Sequence, residues 1–334
     1  MLDLLAAPGP LSIQDGGRPG FRHLGVPLSG ALDPELLAIA NALTGNAHHL
    51  AALELRLAGP SLVAAAPVVV ALAGALDAKI ERVDGSRAPA VAWRGHSLDA
   101  GEALHVGAIR GGVAYLAVAG GFDTDLALGS RSTYPRASLG GINGRAPRAG
   151  DSLKVSPGGT ALLRHLPSPP RPADGPLRIL RGPQHDRFTE AAWGNLLDAE
   201  FVVSHEADRM GLRLDGPSLT NAGAADVVSE AVTPGVIQVP GDGRPIVLLA
   251  DCQTVGGYAK IACVIGADLP RLAHALPGAR LRFAAVTLDQ ARAARREAAE
   301  RLAATLAAIT PLAEGPDLAA LYAANLIDGV IDAT

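Results

Sequence analysis

Val236-Ile237-Gln238-Val239-Pro240-Gly241-Asp242-Gly243-Arg244-Pro245-Ile246-Val247-Leu248-Leu249-Ala250 decides the fold, and it runs straight into Asp251-Cys252-Gln253-Thr254-Val255-Gly256-Gly257-Tyr258-Ala259-Lys260. Two short apolar runs, 236–239 and 246–249, flank a Pro-Gly-Asp-Gly cluster, the composition of a β-hairpin. The second run ends in a carboxylate, an amide and a hydroxyl, followed by two glycines, a phenol and an ammonium. Polar groups at a strand end, beside glycines that let a ligand approach the backbone, are the makings of a binding site. A glycine turn with Asp251 and Thr254 bonded locally to the backbone is the plainer alternative.

Outward from this stretch the text stays strand-like. In the first half, 68–72, 79–83 and 113–118 are β-branched or alternating runs bounded by glycines, and 281–284 reads as a closing strand. Helices are fewer. Residues 34–43 follow Asp33, an N-cap with Pro34 at the first helical position, and stop at Thr44-Gly45-Asn46. A longer helix runs from Leu288 to about Ala308, opened by Thr287 and Gln290 at capping-box spacing. Leu288, Arg295, Leu302 and Ile309, with Ala298, Ala299 and Leu306, would form its packing face. Prolines 157, 167, 169, 170, 172 and 176 mark an irregular linker. A weak echo, Gly25-Val26-Pro27-Leu28-Ser29-Gly30 against Gly211-Leu212-Arg213-Leu214-Asp215-Gly216, is followed by a lone acid in each half, Glu54 and Glu230. It suggests two diverged copies of one β unit.

Composition narrows the function classes. The 334 residues can hold two domains; 39 glycines and 25 prolines favour many turns and short strands, and with 3% aromatics the cores must be aliphatic. A net charge of -4 with dispersed basic residues argues against nucleic acid or an acidic membrane as partner. Cys252 and Cys263, eleven residues apart without C-x-x-C spacing, give no zinc signature and suit a reducing compartment. Met1-Leu2-Asp3-Leu4-Leu5 has no basic segment before its apolar residues, and the most apolar stretch, 62–76, is short and broken by Pro67 and Gly74. The expectation is a soluble, cytoplasmic protein without a metal site.

P-loop, nucleophile-elbow, zinc-helix and dinucleotide motifs are missing. His48-His49 reads as a solvated turn. Gly140-Gly141-Ile142-Asn143-Gly144-Arg145 could wrap a phosphate with backbone N–H groups or simply be a flexible loop. Gln14-Asp15-Gly16-Gly17-Arg18-Pro19-Gly20-Phe21-Arg22-His23 concentrates a carboxylate, two guanidiniums and an imidazole on a bent loop, which suggests handling of anions. The other reading is a solvated loop with weak Asp–Arg pairs.

Taken together, these motifs resemble a known family. Gln14-Asp15-Gly16-Gly17-Arg18, Gly25-Val26-Pro27-Leu28-Ser29-Gly30-Ala31-Leu32-Asp33 and Ala40-Asn41-Ala42-Leu43-Thr44-Gly45-Asn46 look like the opening of the KipA family. That family includes the C subunit of 5-oxoprolinase and allophanate hydrolase subunit 2, and is also described as a biotin-dependent carboxyltransferase family. The likeness continues through Gly129-Ser130-Arg131-Ser132-Thr133-Tyr134, Gly182-Pro183-Gln184, Arg209-Met210-Gly211-Leu212-Arg213-Leu214, the 251–258 segment and Asn325-Leu326-Ile327-Asp328-Gly329-Val330. Where family members often carry a second Thr and a Pro, this chain has Val255 and Ala259.

The resemblance implies a mainly β fold with a few helices: two cyclophilin-like β-barrel domains, at 1–165 and 177–287, a linker at 166–176 and a C-terminal helical tail at 288–334. It implies a KipI-type partner subunit, a LamB/YcsF-type subunit, and ATP-dependent opening of the 5-oxoproline lactam, with ATP bound somewhere in the complex. An alternative is carboxyl transfer from carboxybiotin to urea or a similar amide, with the biotin-carrier and ATP-binding regions on other polypeptides. A third is a non-enzymatic regulator that binds a KipI-type kinase inhibitor. For catalysis, Arg18, Arg209 and Lys260 would hold phosphate or substrate carboxylate. Asp251 and Glu230 are candidate bases or contacts to metal-bound water. Gln253, Thr254 and Tyr258 would orient the amide beside Gly256 and Gly257. His23 is either a proton carrier or an ordinary loop histidine.

Overall fold

The structure, a computed structural model, describes residues 1–157, 162–171, 173–223 and 226–312. The chain is mainly β, as the sequence implies, and its sheets are barrel-like. In the first half a six-stranded antiparallel sheet runs in the order Ser152–Leu153, Leu2–Ala6, Ser61–Ala64, Ala103–Ile109, Leu76–Glu81, Arg87–Pro89. A seven-stranded sheet carries Leu11–Gln14, Ala52–Leu55, Ala114–Val118, Val68–Ala73, Arg94–Leu98, Arg164–His165 and Thr310–Pro311.

Alternation along the central strands explains why they read as unbroken apolar runs. Val70 and Leu72, like Leu116 and Val118, join one core with Leu4, Leu53, Leu62 and Leu104. Their neighbours Ala71, Ala73, Tyr115 and Ala117 face the other way, into a cluster with helix Pro34–Leu43 and with the second half. A strand buried on both faces has no polar side to show. The helix starts as read: the Asp33 carboxylate accepts from Leu36 N at 2.9 Å, and Gly45 beyond its end takes φ +75°.

The second half is one sheet in the order Arg280–Leu281, Phe201–Ala207, Gly211–Asp215, Ile246–Leu248, Val236–Val239, Val255–Val264, Leu177–Arg181, Phe283–Ala285, with Asp226–Ala231 also paired to Val255–Val264. Its two edge strands are separated in the chain by Arg282 alone, so one short segment seams both edges and closes the sheet. Closure removes the open edges that an isolated sheet would present. The expected single strand at 281–284 is split for this reason: Val202 pairs Arg280 on one side and Leu177 pairs Phe283 on the other. The hairpin at 236–249 forms, with Gln238 opposite Ile246 and Gly243 at φ +74°.

The two halves share one apolar cluster, in which Leu36, Leu37 and Leu43 meet Ile179, Phe201, Leu212 and Ile261. Leu166 is buried in it, whereas Pro167 to Arg171 are exposed. Arg164–His165 pairs with Thr310–Pro311, tying the residues that follow the long helix to the first half. Helix Leu288–Ala307 has its capping box in place. Its buried face differs from the heptad reading: Ala294 and Ala298 are buried and Leu302, Leu306 and Ile309 pack on the core, while Leu288, Arg295 and Ala299 are exposed. An α-helix has 3.6 residues per turn, so a strict seven-residue repeat drifts off the contact. Helices Glu190–Asp198 and Leu269–Ala273 escape the sequence reading. The six-residue echo has no structural counterpart, because 211–215 is a strand and 25–30 is irregular. Residues 325–330 lie outside the described residues. No helix among the described residues is long and apolar enough to cross a membrane.

Candidate functional site

Arg209 stands where the two halves meet, in the turn between Phe201–Ala207 and Gly211–Asp215. Its Nε donates to Asp251 Oδ2 at 2.7 Å, and Nη2 donates to Asp251 Oδ1 at 3.2 Å. Nη2 also donates to the Gly30 carbonyl at 2.6 Å, and Nη1 donates to Glu54 Oε1. The other Glu54 oxygen accepts from Leu32 N at 2.8 Å and from the Tyr115 hydroxyl at 2.6 Å. Glu54 and Asp251 are buried, and the Arg209 side chain is 16% exposed. Burial works against the guanidinium charge, but Glu54 and Asp251 outweigh it and hold Arg209 above its ordinary range. Burial, and next the Glu54 charge, push the Tyr115 phenol well above its ordinary value.

The Asp15–Arg18 loop packs against the same junction from the first half. Asp15 accepts from Gly17 N, Arg131 N and the hydroxyls of Ser130 and Ser132 at 2.6–2.8 Å. Gly17, at φ +81°, leaves no room for a Cβ against the Leu28 carbonyl, 2.7 Å away. Arg18 is fully buried, donating to the carbonyls of Ser132 and Ala127. Burial lowers its pKa against the opposing pull of Asp15 and Asp251. Arg22 reaches across to the carbonyls of Val232 and Gln253. His23 is exposed on the turn Arg22–Leu24.

Beyond the junction opens a cleft of about 460 Å³, lined by Gln253, Gln238, Tyr258, His205, Asp208 and Arg136 among others. Gln253 Nε2 donates to the Gln238 Oε1 at 3.2 Å, so two amides stand side by side in its wall. Gly256 lies against this pair: a Cβ there would sit 2.6 Å from Gln238 Nε2. Tyr258 is 41% exposed. Lys260 is buried, paired with Glu230, which also accepts from Gln184 Nε2. The hydrogen bond from Lys260 holds the Glu230 carboxyl below its usual range.

The structure therefore brings Asp251 to Arg209, and Gln253 to Tyr258, on neighbouring surfaces. It sets Lys260 and Glu230 on a separate ion pair, buries Thr254 and leaves His23 apart. Arg18, Arg209 and Lys260 enter as held cations, each already engaged by protein oxygens. The Gly140–Arg145 loop offers no phosphate cradle. The N–H groups of Gly141, Ile142, Gly144 and Arg145 bond to carbonyls of the chain, and the Arg145 guanidinium is paired with Asp151 at 2.7 Å. Gln238 and Arg136 are missed by the sequence reading, which notes Glu54 only as part of the echo and gives it no site role. A lone acid in Ala52–Leu55, inside an apolar strand, was a usable signal for Glu54; Arg136 gave none.

Known proteins share this architecture. Residues 24–285 match the family described as carboxyltransferase domain, subdomain A and B. The chain is 35% identical to the 5-oxoprolinase C subunit of Escherichia coli K12, over 89% of this chain and 95% of that protein. It is 33% identical to a putative urea carboxylase of Emericella nidulans, over 89% of this chain and 25% of that protein. Among solved structures, the urea amidolyase of K. lactis superposes with a TM-score of 0.81 at 25% identity, over 94% of this chain and 21% of that one.

Proposed function

The chain belongs to the carboxyltransferase family of subdomains A and B, and on that premise we propose that it serves as the C subunit of an ATP-dependent 5-oxoprolinase. In this reading it opens the 5-oxoproline lactam to glutamate together with KipI-type and LamB/YcsF-type subunits. One observation carries the reading: the paired amides of Gln253 and Gln238 wall a cleft, in a chain related over nearly its whole length to a 5-oxoprolinase subunit.

A lactam presents one carbonyl acceptor and one N–H donor in a plane. Gln253 spends one amide hydrogen on Gln238, which fixes its plane and leaves its carbonyl and second hydrogen for a ligand. Tyr258 adds a phenol that donates or accepts. Asp251, Glu54 and Arg209 brace the loop from behind, so the amide wall arrives pre-positioned. When bound in the complex, ATP would supply activation of the lactam oxygen. The Gly140–Arg145 loop does not fit a nucleotide phosphate, because its N–H groups are spent on chain carbonyls and its arginine is paired with Asp151; we place ATP on a partner subunit.

Carboxyl transfer to a urea-like amide is the second reading, supported by the urea amidolyase likeness and by the same amide wall. Co-expression with each candidate set separates them. Stable co-purification with KipI-type and LamB/YcsF-type subunits, and ATP hydrolysis stimulated by 5-oxoproline, are the expected outcomes. Co-purification with a biotin carboxylase and stimulation by urea would reverse the order.

A further inference from the structure

We infer that Arg136 reads the carboxylate of the substrate, making the cleft selective for an amide that bears an acid group over a neutral amide. The inference rests on the 5-oxoprolinase reading of the cleft and adds the group that sets its specificity.

Arg136 comes from the first half, whereas its neighbours in the cleft, from His205 to Arg213 and from Gln238 to Tyr258, belong to the second. The cleft is lined by two arginines. Arg213 is committed, at 2.7 Å to Glu206 and 2.9 Å to Asp242. The guanidinium of Arg136 has no hydrogen bond or ion pair among the described residues. Neither lining acid pairs with it: Glu206 is held by Arg213, and Asp208 Oδ1 accepts from Met210 N at 2.7 Å and Gly211 N at 3.2 Å. An incoming anion therefore meets one uncommitted guanidinium, whose planar fork matches a carboxylate.

The turn that carries Arg136 is built to hold its place. Pro135–Ala137 forms a single 3-10 turn, closed by Ser138 in the left-handed region at φ +51°. Tyr134 and Leu139 exchange backbone hydrogen bonds at 2.8 and 3.2 Å across its base. Gly140 follows at φ +61°, where a Cβ would lie 2.1 Å from the Ser132 carbonyl. The cation is thus carried by a backbone-bonded turn on the same cleft as the Gln253–Gln238 pair. A compact molecule carrying a planar amide and a carboxylate on the neighbouring carbon would be gripped at both ends, whereas urea offers only the amide.

The test uses the assembled complex, with 5-oxoproline and with 2-pyrrolidinone, the same lactam without the acid, as substrate or competitive inhibitor. Arg136→Met is expected to raise KM for 5-oxoproline about tenfold or more while shifting the 2-pyrrolidinone constant less than about threefold, with Arg136→Lys in between. Its thermal midpoint should match the wild type, since the residue is exposed. Equal changes for both lactams, or no change in either, would overturn the inference while leaving the 5-oxoprolinase reading in place. A wild-type complex that ignores 5-oxoproline would overturn that reading and the inference with it.

Discussion

Replacing Arg209 by methionine should be far more damaging to the fold than an ordinary surface substitution. Methionine keeps much of the stem but removes every donor. The Gly30 carbonyl, one Glu54 oxygen and the Asp251 carboxylate would each lose a partner, and both acids are buried. An unsatisfied buried group costs about 1–3 kcal/mol, and stranding the charge of a broken buried pair costs about 3–5 kcal/mol, so we expect a loss in that upper range. The measurement is urea denaturation followed by the fluorescence of Trp93 and Trp193, both packed on the shared cluster. The triple variant Arg209→Met, Glu54→Gln, Asp251→Asn, which removes the stranded charges with the cation, should recover at least about half of the loss. If Arg209→Met alone costs less than about 1 kcal/mol, as exposed pairs do, the junction is not a buried brace.

Other consequences follow from the same geometry. Gly256→Ala pushes against the Gln238 amide, the end of a side chain rather than backbone; we expect impaired substrate affinity in the assembled complex with a thermal midpoint close to wild type, and unaltered affinity would remove Gln238 from the site. Burial opposes the charge of His274, but its hydrogen bond to Asp33 at 2.9 Å, the Asp33 charge and the Gly111 carbonyl raise its pKa above 6.5. The raised folded value means that this stabilisation is complete below pH 6.5 and is lost as pH rises through the folded pKa; His274→Asn should flatten that part of the stability–pH curve, and an unchanged slope would refute it. Burial raises the pKa of both Cys252 and Cys263, so each thiol should label more slowly at about pH 8 in the folded chain than after denaturation, as timed labelling followed by mass spectrometry would show.

Local chemistry was legible in the sequence and long-range pairing was not. The Asp33 cap, the Thr287–Gln290 capping box and the 236–249 hairpin are each written within a few residues, and the structure has all three. A closing strand was legible at 281–284, but not its split into two short strands that pair opposite edges, because the strands they seam have ordinary text of their own. The site was half visible. Asp251, Gln253 and Tyr258 sit on one conspicuous loop, but Glu54 is 155 residues from Arg209. Gln238, inside a buried strand, reads as core until its amide is seen against Gln253. Arg18 reads as an anion receptor because its loop is glycine-rich and charged; in the structure it is buried and donates to the carbonyls of Ala127 and Ser132, with Nη1 left without a partner.

The most direct test of the proposed function is reconstitution from purified subunits. This chain alone, and then together with KipI-type and LamB/YcsF-type subunits, is incubated with ATP and 5-oxoproline, and glutamate release is quantified by chromatography. The expected result is no release by the chain alone and ATP-dependent, stoichiometric glutamate once the partners are added. Failure of the full set to release glutamate, with carboxylation of urea appearing when carboxybiotin is supplied, would contradict it.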